Sequence, residues 1–416
     1  MDILTRRRFL LASGVVGAGA LAAGAGALGL AELLKTASGG TSDASARKLV
    51  LVTLYGGNDG LNTVVPFADP AYHSARPELA YAPEEVLHLD DTLGLNPMLT
   101  GLKKLWDDKR LAIVLGVGYP RPDRSHFRSM DIWQTASPVN PVQTGWVGRW
   151  LDGTSAPPEA AVSFEPVLPP MLAGETRAGS CVSPSGLSLP NGITPEMLAA
   201  LGQPEDGEPT PRARAASAYT DLLHVEHLIR EAEKTPRDPA AGPELELLTT
   251  GTGRTSSLST QLALVARCVE AGVPTRVYSV SLDGFDTHAD ERAGHESLLK
   301  RLDDALSGFV NRMSRTEAGR QVTVLVYSEF GRRVRANASD GTDHGTAAPV
   351  FVLGPRVAGG FYGEQPSLTD LDDGDLKANL DLRTVIGTML HSVLDVDPGQ
   401  YLDGFRTDPL PLLPAV

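Results

Sequence analysis

Acids and imidazoles recur in this sequence just after short apolar runs: Asp59, then Asp286 with His288, then Glu329, then Asp343 with His344. Imidazole nitrogens and carboxylate oxygens are the usual ligands of divalent first-row metals. Carboxylates gathered in one cleft repel each other unless a proton or a cation intervenes. A divalent metal (zinc, manganese, magnesium or calcium) would neutralise such a cluster and activate water. Arg121, Arg332 and Arg333 could instead neutralise an anionic substrate, and Arg332 is the catalytic candidate among them. Ser125 is the candidate nucleophile, with Thr63 behind it. Ser125 adjoins His126, but neighbouring side chains diverge, so the adjacency is no evidence of a nucleophile–base pair. Each motif also has a structural reading. Asp286 could cap the following helix, Asn58 and Asp59 could cap their own turn, and Arg121, Arg124 and Arg128 could tie down a loop.

The elements that must position these residues are legible as apolar runs. Val322–Tyr327 reads as a strand buried on both faces, and Leu49–Tyr55, Leu111–Val117, Val277–Leu282 and Pro349–Leu353 are further apolar runs of strand length. Helical spacing marks Pro97–Asp108, a helix that includes Met130 and Trp133, residues 257–271, Ser297–Thr316 and Leu382–Leu394. Helices alternating with buried strands predict a doubly wound, mainly parallel α/β sheet with helices on both faces. In such a sheet the polar loops after the strands share one edge, where ligands bind. A Pro- and Gly-rich stretch over about 154–253 reads as an insertion or cap. His224 and His227 within it, three residues apart among charged neighbours, read as exposed helix surface rather than a metal site.

The chain has 416 residues, a formal charge of −14 and a pI near 5.1. That balance argues against nucleic acid, whose phosphates need a basic face. Two cysteines, Cys181 and Cys268, make no zinc-finger or disulfide framework, though a single bridge fits an oxidising compartment. Cys268 lies in an apolar helical pattern and is expected to be buried. Residues 6–8 are arginines, and Phe9 to Ala31 carry no charge, which is an export signal to be set aside from the fold. It is similar to a bacterial twin-arginine signal at Arg6, Arg7, Phe9 and Leu10, with Leu11 where a lysine is common. The expected partner is the twin-arginine translocase, with transient membrane contact through the signal and a periplasmic or extracellular destination. Residues 1–46 are then signal and linker, and 47–416 a single α/β domain.

Taken in order, GGNDGLN at 56–62, SHFRSMDIWQTA at 125–136, SLDGFDTH at 281–288, SEFGRR at 328–333 and DHGTA at 343–347 resemble the motifs of the DUF1501 family. That family consists of exported bacterial proteins related to the alkaline phosphatase and sulfatase superfamily. The resemblance implies an alkaline phosphatase-like α/β/α fold. It also implies a site placing Asp59 first, Asp286 and His288 near the middle and His344 late, with two divalent metals as the superfamily norm. Phe330 stands where a metal-binding histidine is common, and no sulfatase nucleophile signature is present. Two functions are therefore expected as alternatives. One is an exported metal-dependent hydrolase of phosphate or sulfate esters, acting on an anionic small molecule or polymer. The other is a non-catalytic exported binding or assembly protein that retains a reduced site.

Overall fold

The structure, a computed structural model, describes residues 45–182 and 257–413. The twin-arginine motif and the segment holding His224 and His227 lie outside the described residues, as does most of the expected insertion. Two compact units divide the described chain: residues 143–182 with 271–275, and residues 45–142 with 257–270 and 276–413.

The smaller unit holds the helix Trp146–Thr154 and a short parallel strand pair, Ala161–Ser163 with Ser180–Cys181. Asp152 shapes its central turn, accepting the backbone N–H groups of Glu175, Thr176 and Arg177.

The larger unit is built on β1 (Lys48–Tyr55), β2 (Leu111–Gly118), β3 (Val277–Asp283), β4 (Val322–Ser328), β5 (Ala348–Leu353) and β6 (Gly360–Tyr362). Their order across the sheet is β6-β2-β5-β4-β1-β3. Valine and leucine dominate, and Leu49, Val50, Val52, Val324 and Val326 are fully buried, so both faces of the central strands are core. The sheet is the doubly wound, mostly parallel one expected, flanked by α1 (Thr100–Asp107), α2 (His126–Thr135), α3 (Leu258–Glu270), α4 (Glu291–Met313) and α5 (Leu382–Ser392). α3 and α1 both pack on α4. Asp303 of α4 caps α1 from outside, accepting N–H groups of Gly101 and Leu102 at 2.9 and 2.7 Å. It thereby satisfies amides that the first turn of a helix leaves unpaired.

One strand runs against the rest, and the site depends on it. β1 is parallel to β3 and β4, with Tyr55 opposite Asp283 and Leu54 opposite Ser328, so their C-terminal ends are level. β5 is antiparallel to both β4 and β2, which leaves β2 parallel to β4. Its first residue, Ala348, pairs with Val117 near the end of β2. The chain before β5 therefore arrives at the edge where the loops after β1, β2, β3 and β4 leave. No crossover helix joins β4 to β5, and a parallel return would require one.

Candidate metal centre

Three of these loops meet through side chains. Asp286 and His288 follow β3, Glu329 follows β4, His126 opens α2 after β2, and His344 precedes β5. The Gly56 turn after β1 is the close-packed hinge of the group. Gly56 has φ +114°, and a Cβ there would lie 2.5 Å from the backbone nitrogen of Asp286. Only glycine allows both the left-handed backbone and that approach.

The focus is one oxygen, Oδ1 of Asp286. His288 Nε2 lies 3.0 Å from it, His344 Nε2 3.1 Å and His126 Nε2 3.5 Å. Arg332 donates to the same oxygen at 2.8 Å. Ligand atoms of His126, Asp286 and His344 all lie within 4.8 Å of one another, and His288 Nε2 comes within 3.0 Å of His344 Nε2.

The far side of each ring fixes which nitrogen faces inward. His344 Nδ1 lies 2.8 Å from the carbonyl of Arg124, which can only accept, so Nδ1 carries the hydrogen. His126 Nδ1 lies 2.8 Å from Glu329 Oε1, and His288 Nδ1 faces Asp343 Oδ1 at 3.5 Å. Network geometry thus assigns the inward Nε2 atoms of His126 and His344 as lone pairs. His126 Nε2 is buried without a hydrogen-bond partner. His288 Nε2, 3.0 Å from both the His344 Nε2 lone pair and Asp286 Oδ1, needs a proton or a metal between it and them. Imidazoles backed by carbonyl or carboxylate and pointing bare nitrogens at one place are how a protein prepares a metal site. The residues fit a divalent transition metal. The four side chains are 22% to 48% exposed, which keeps the centre open to a substrate.

Electrostatics support the same arrangement. Burial pushes the Asp286 carboxyl up, but the Arg332 hydrogen bond and the neighbouring imidazoles outweigh it and hold it down at about 2. The Glu329 contact raises the pKa of His126, with burial opposing it. Phe330 is buried and forms an apolar wall, its ring 4.9 Å from that of His126 and 4.8 Å from that of His344.

Several expected roles change. Glu329 does not face the centre; its oxygens accept from Gly56 N and Ser328 Oγ and hold His126. Asp343 stands behind His288, its Oδ1 3.5 Å from Nδ1, instead of at the centre, with Asn337 donating to it at 3.2 Å. Arg332 is buried, and its guanidinium donates to the carbonyls of Gly56, Gly57, Phe285 and Thr342 as well as to Asp286. It positions three loops, and its fully buried side chain presents no donor at the surface to a substrate anion. Ser125 opens α2 as an exposed residue without a side-chain cap bond. Both cysteines are free, and Cys268 is buried.

Asp59 is the clearest correction. It is fully buried, its Oδ2 lies 2.5 Å from Arg76 Nη1, and its Oδ1 caps Leu61. Burial raises its carboxyl, and Arg76 more than cancels that, holding it at about 2. Beside it, burial and the Asp59 charge push Glu291 up to about 9, so Glu291 is neutral and Thr342 donates to it. The expected metal ligand is one half of a buried ion pair. Thr63, the other nucleophile candidate, is likewise buried and donates to the carbonyl of Asp59.

Beside the centre runs a groove of about 620 Å³, lined in part by Tyr119, Arg121, Arg124, Thr346 and Lys377. Arg124 is drawn off by Asp373 and Asp375. Arg121 stands in the groove wall with φ 56°.

A family model described as "Protein of unknown function (DUF1501)" matches residues 46–412. No curated protein matches the chain. The structure is similar to that of Ps i-CgsB in complex with k-i-k-neocarrahexaose, with a TM-score of 0.40 and 11% identity over 86% of this chain and 74% of that one. It is also similar to the lipoteichoic acid synthase LtaP from Listeria monocytogenes, with a TM-score of 0.34 and 9% identity over 91% and 78%. A third similar structure is a 2-O GAG sulfatase, with a TM-score of 0.29 and 14% identity over 76% and 65%.

Proposed function

This chain belongs to the DUF1501 family, and from the geometry of its own site we propose that it is an exported, metal-assisted hydrolase of phosphate or sulfate esters. The observation that carries the reading is the set of three imidazole nitrogens, one of them without a partner, gathered on one carboxylate oxygen in a solvent-open centre. His126, Asp286 and His344 would hold the metal, which supplies Lewis acidity at neutral pH when bound. Glu329 keeps the His126 Nδ1 proton and so keeps Nε2 bare. Arg332 fixes the Asp286 carboxylate. Phe330 keeps water from one side of the rings. Arg121 is the arginine that the groove can offer to an anionic substrate, since Arg332 and Arg124 are already engaged.

A specific observation favours a second reading, the non-catalytic binding protein. The arginine at the centre spends its donors on backbone carbonyls and Asp286, and the Ser125 side chain makes no cap bond at the start of α2. One experiment separates the two. Protein stripped by a chelator should lose hydrolysis of aryl phosphate or aryl sulfate esters and regain it when zinc or manganese is restored. A folded, metal-loaded protein inert toward both ester classes would remove the hydrolase reading and leave the binding one.

Export belongs to the same proposal and is supported by Arg6 and Arg7 ahead of an uncharged segment. Arg6→Lys with Arg7→Lys should leave precursor in the cytoplasm, measured by fractionation, while the folded domain is unchanged. Export at the wild-type level would reject the twin-arginine route.

A further inference from the structure

The acids of this edge are neutralised in two different ways. At Asp286 one chain cation, Arg332, stands on one side, and imidazoles whose inward nitrogens can hold a further cation gather on the other. At Asp59 the cation is already part of the chain. Arg76 is fully buried against Asp59, and its other donors go to the carbonyls of Val334 and Arg333 at 2.9 and 2.7 Å. An ion entering at Asp59 would have to displace that guanidinium and orphan both carbonyls, and buried polar groups are seldom left so. The neighbouring acid, Glu291, is fully buried as well, with Thr342 Oγ1 donating to it at 2.6 Å.

We infer that the chain takes a single first-row transition-metal ion, held by His126, Asp286, His288 and His344, and that Arg76 serves Asp59 as a tethered cation in place of a second ion. His288 completes the set because its Nε2 lies 3.0 Å from both Asp286 Oδ1 and His344 Nε2, while Asp343 backs its other nitrogen. Arg332 does not exhaust Asp286, since a carboxylate offers about four lone-pair sites. Magnesium and calcium take oxygen ligands, so a set of imidazoles with one carboxylate favours zinc or cobalt over them. The inference rests on the metal-assisted reading above for its centre, but not on turnover there.

The test is a titration of the chelator-stripped full chain with Co²⁺, followed by visible absorption and calorimetry. One equivalent should bind. His288→Ala should weaken that binding by about 10-fold or more, since even the loss of a group behind a ligand costs about 10–100-fold. An unchanged apo melting curve in the variant shows that the fold is kept. Excess Mg²⁺ or Ca²⁺ should not displace the cobalt. Two equivalents, no binding, wild-type affinity in His288→Ala, or displacement by Mg²⁺ or Ca²⁺ would each overturn the inference. Because no turnover is read, one bound cobalt in an ester-inert protein would defeat the proposed function alone. Ester hydrolysis with two bound equivalents would defeat this inference alone.

Discussion

Replacing Arg76 with methionine is expected to cost about 3–5 kcal/mol of stability at pH 7, the usual loss when one partner of a buried ion pair is removed. Asp59 is fully buried, and its other close neighbour is the acid Glu291. Without Arg76 only the lesser pulls of Glu291 and His295 oppose the burial that raises the Asp59 carboxyl. The pH dependence follows from that sign. In the wild type Asp59 is held at about 2, below the ~3.9 of an unfolded chain. Its contribution is therefore full above ~3.9 and lost as pH falls through about 2. In Arg76→Met the folded value rises above the unfolded one, and the variant loses stability as pH rises. The gap between the two proteins should thus be widest near neutrality and narrow toward pH 4, as read from urea unfolding. Asp59→Asn in the Arg76→Met background keeps the cap on Leu61 and removes the stranded charge, so it should recover part of the loss. A penalty below about 1 kcal/mol, flat with pH, would place the pair among the weak ones.

That pair also marks where the sequence stops being readable. The sheet was legible because its strands are buried on both faces. Val322–Tyr327 was expected and Val322–Ser328 is observed; Leu111–Val117 was expected and Leu111–Gly118 is observed. Helix α4 begins at Glu291, earlier than the apolar stripe from Leu298 suggested, because its first turn faces buried polar groups such as Asp59 and Thr342. Asp286, His288 and His344 could be picked out because each sits in a polar cluster beside an apolar strand. His126 was missed as a ligand. The same rule singled out its loop, but nothing in Arg124-Ser125-His126-Phe127-Arg128 tells the histidine from its charged neighbours. Its selection comes from Glu329, 203 residues away. Asp59 was misassigned for the converse reason. Its partner Arg76 lies in a Pro-interrupted stretch without periodicity, and no local pattern shows a guanidinium folding back 17 positions. The antiparallel β5 did leave a trace: the stretch between Ser328 and Ala348 shows no helical pattern, and a parallel return would need a crossover helix.

Glu329 offers the sharpest test of how the centre is prepared, because its charge and its hydrogen bonds can be separated. Glu329→Gln is isosteric. Its amide oxygen can accept from His126 Nδ1 and from Gly56 N, as Oε1 does now at 2.8 and 2.9 Å. Its amide nitrogen can donate to Ser328 Oγ, which already donates to the Leu54 carbonyl at 2.8 Å. The ring orientation is therefore kept, and only the negative charge that makes the imidazole a better donor is lost. Glu329→Ala loses both, freeing Nδ1 and the ring itself. Losing a group behind a metal ligand costs about 10–100-fold in affinity, so Gln should fall near the lower bound and Ala near the upper, in zinc or cobalt titration. Both variants should regain hydrolysis in excess metal if affinity alone has changed. Asp59→Asn, which touches none of the ligand rings, should leave metal affinity at the wild-type value. Equal affinity for Glu329→Ala and wild type would mean that His126 needs no backing and does not serve as a ligand. Loss of affinity in Asp59→Asn, with the fold intact, would mean that the buried pair and the metal centre act as one site.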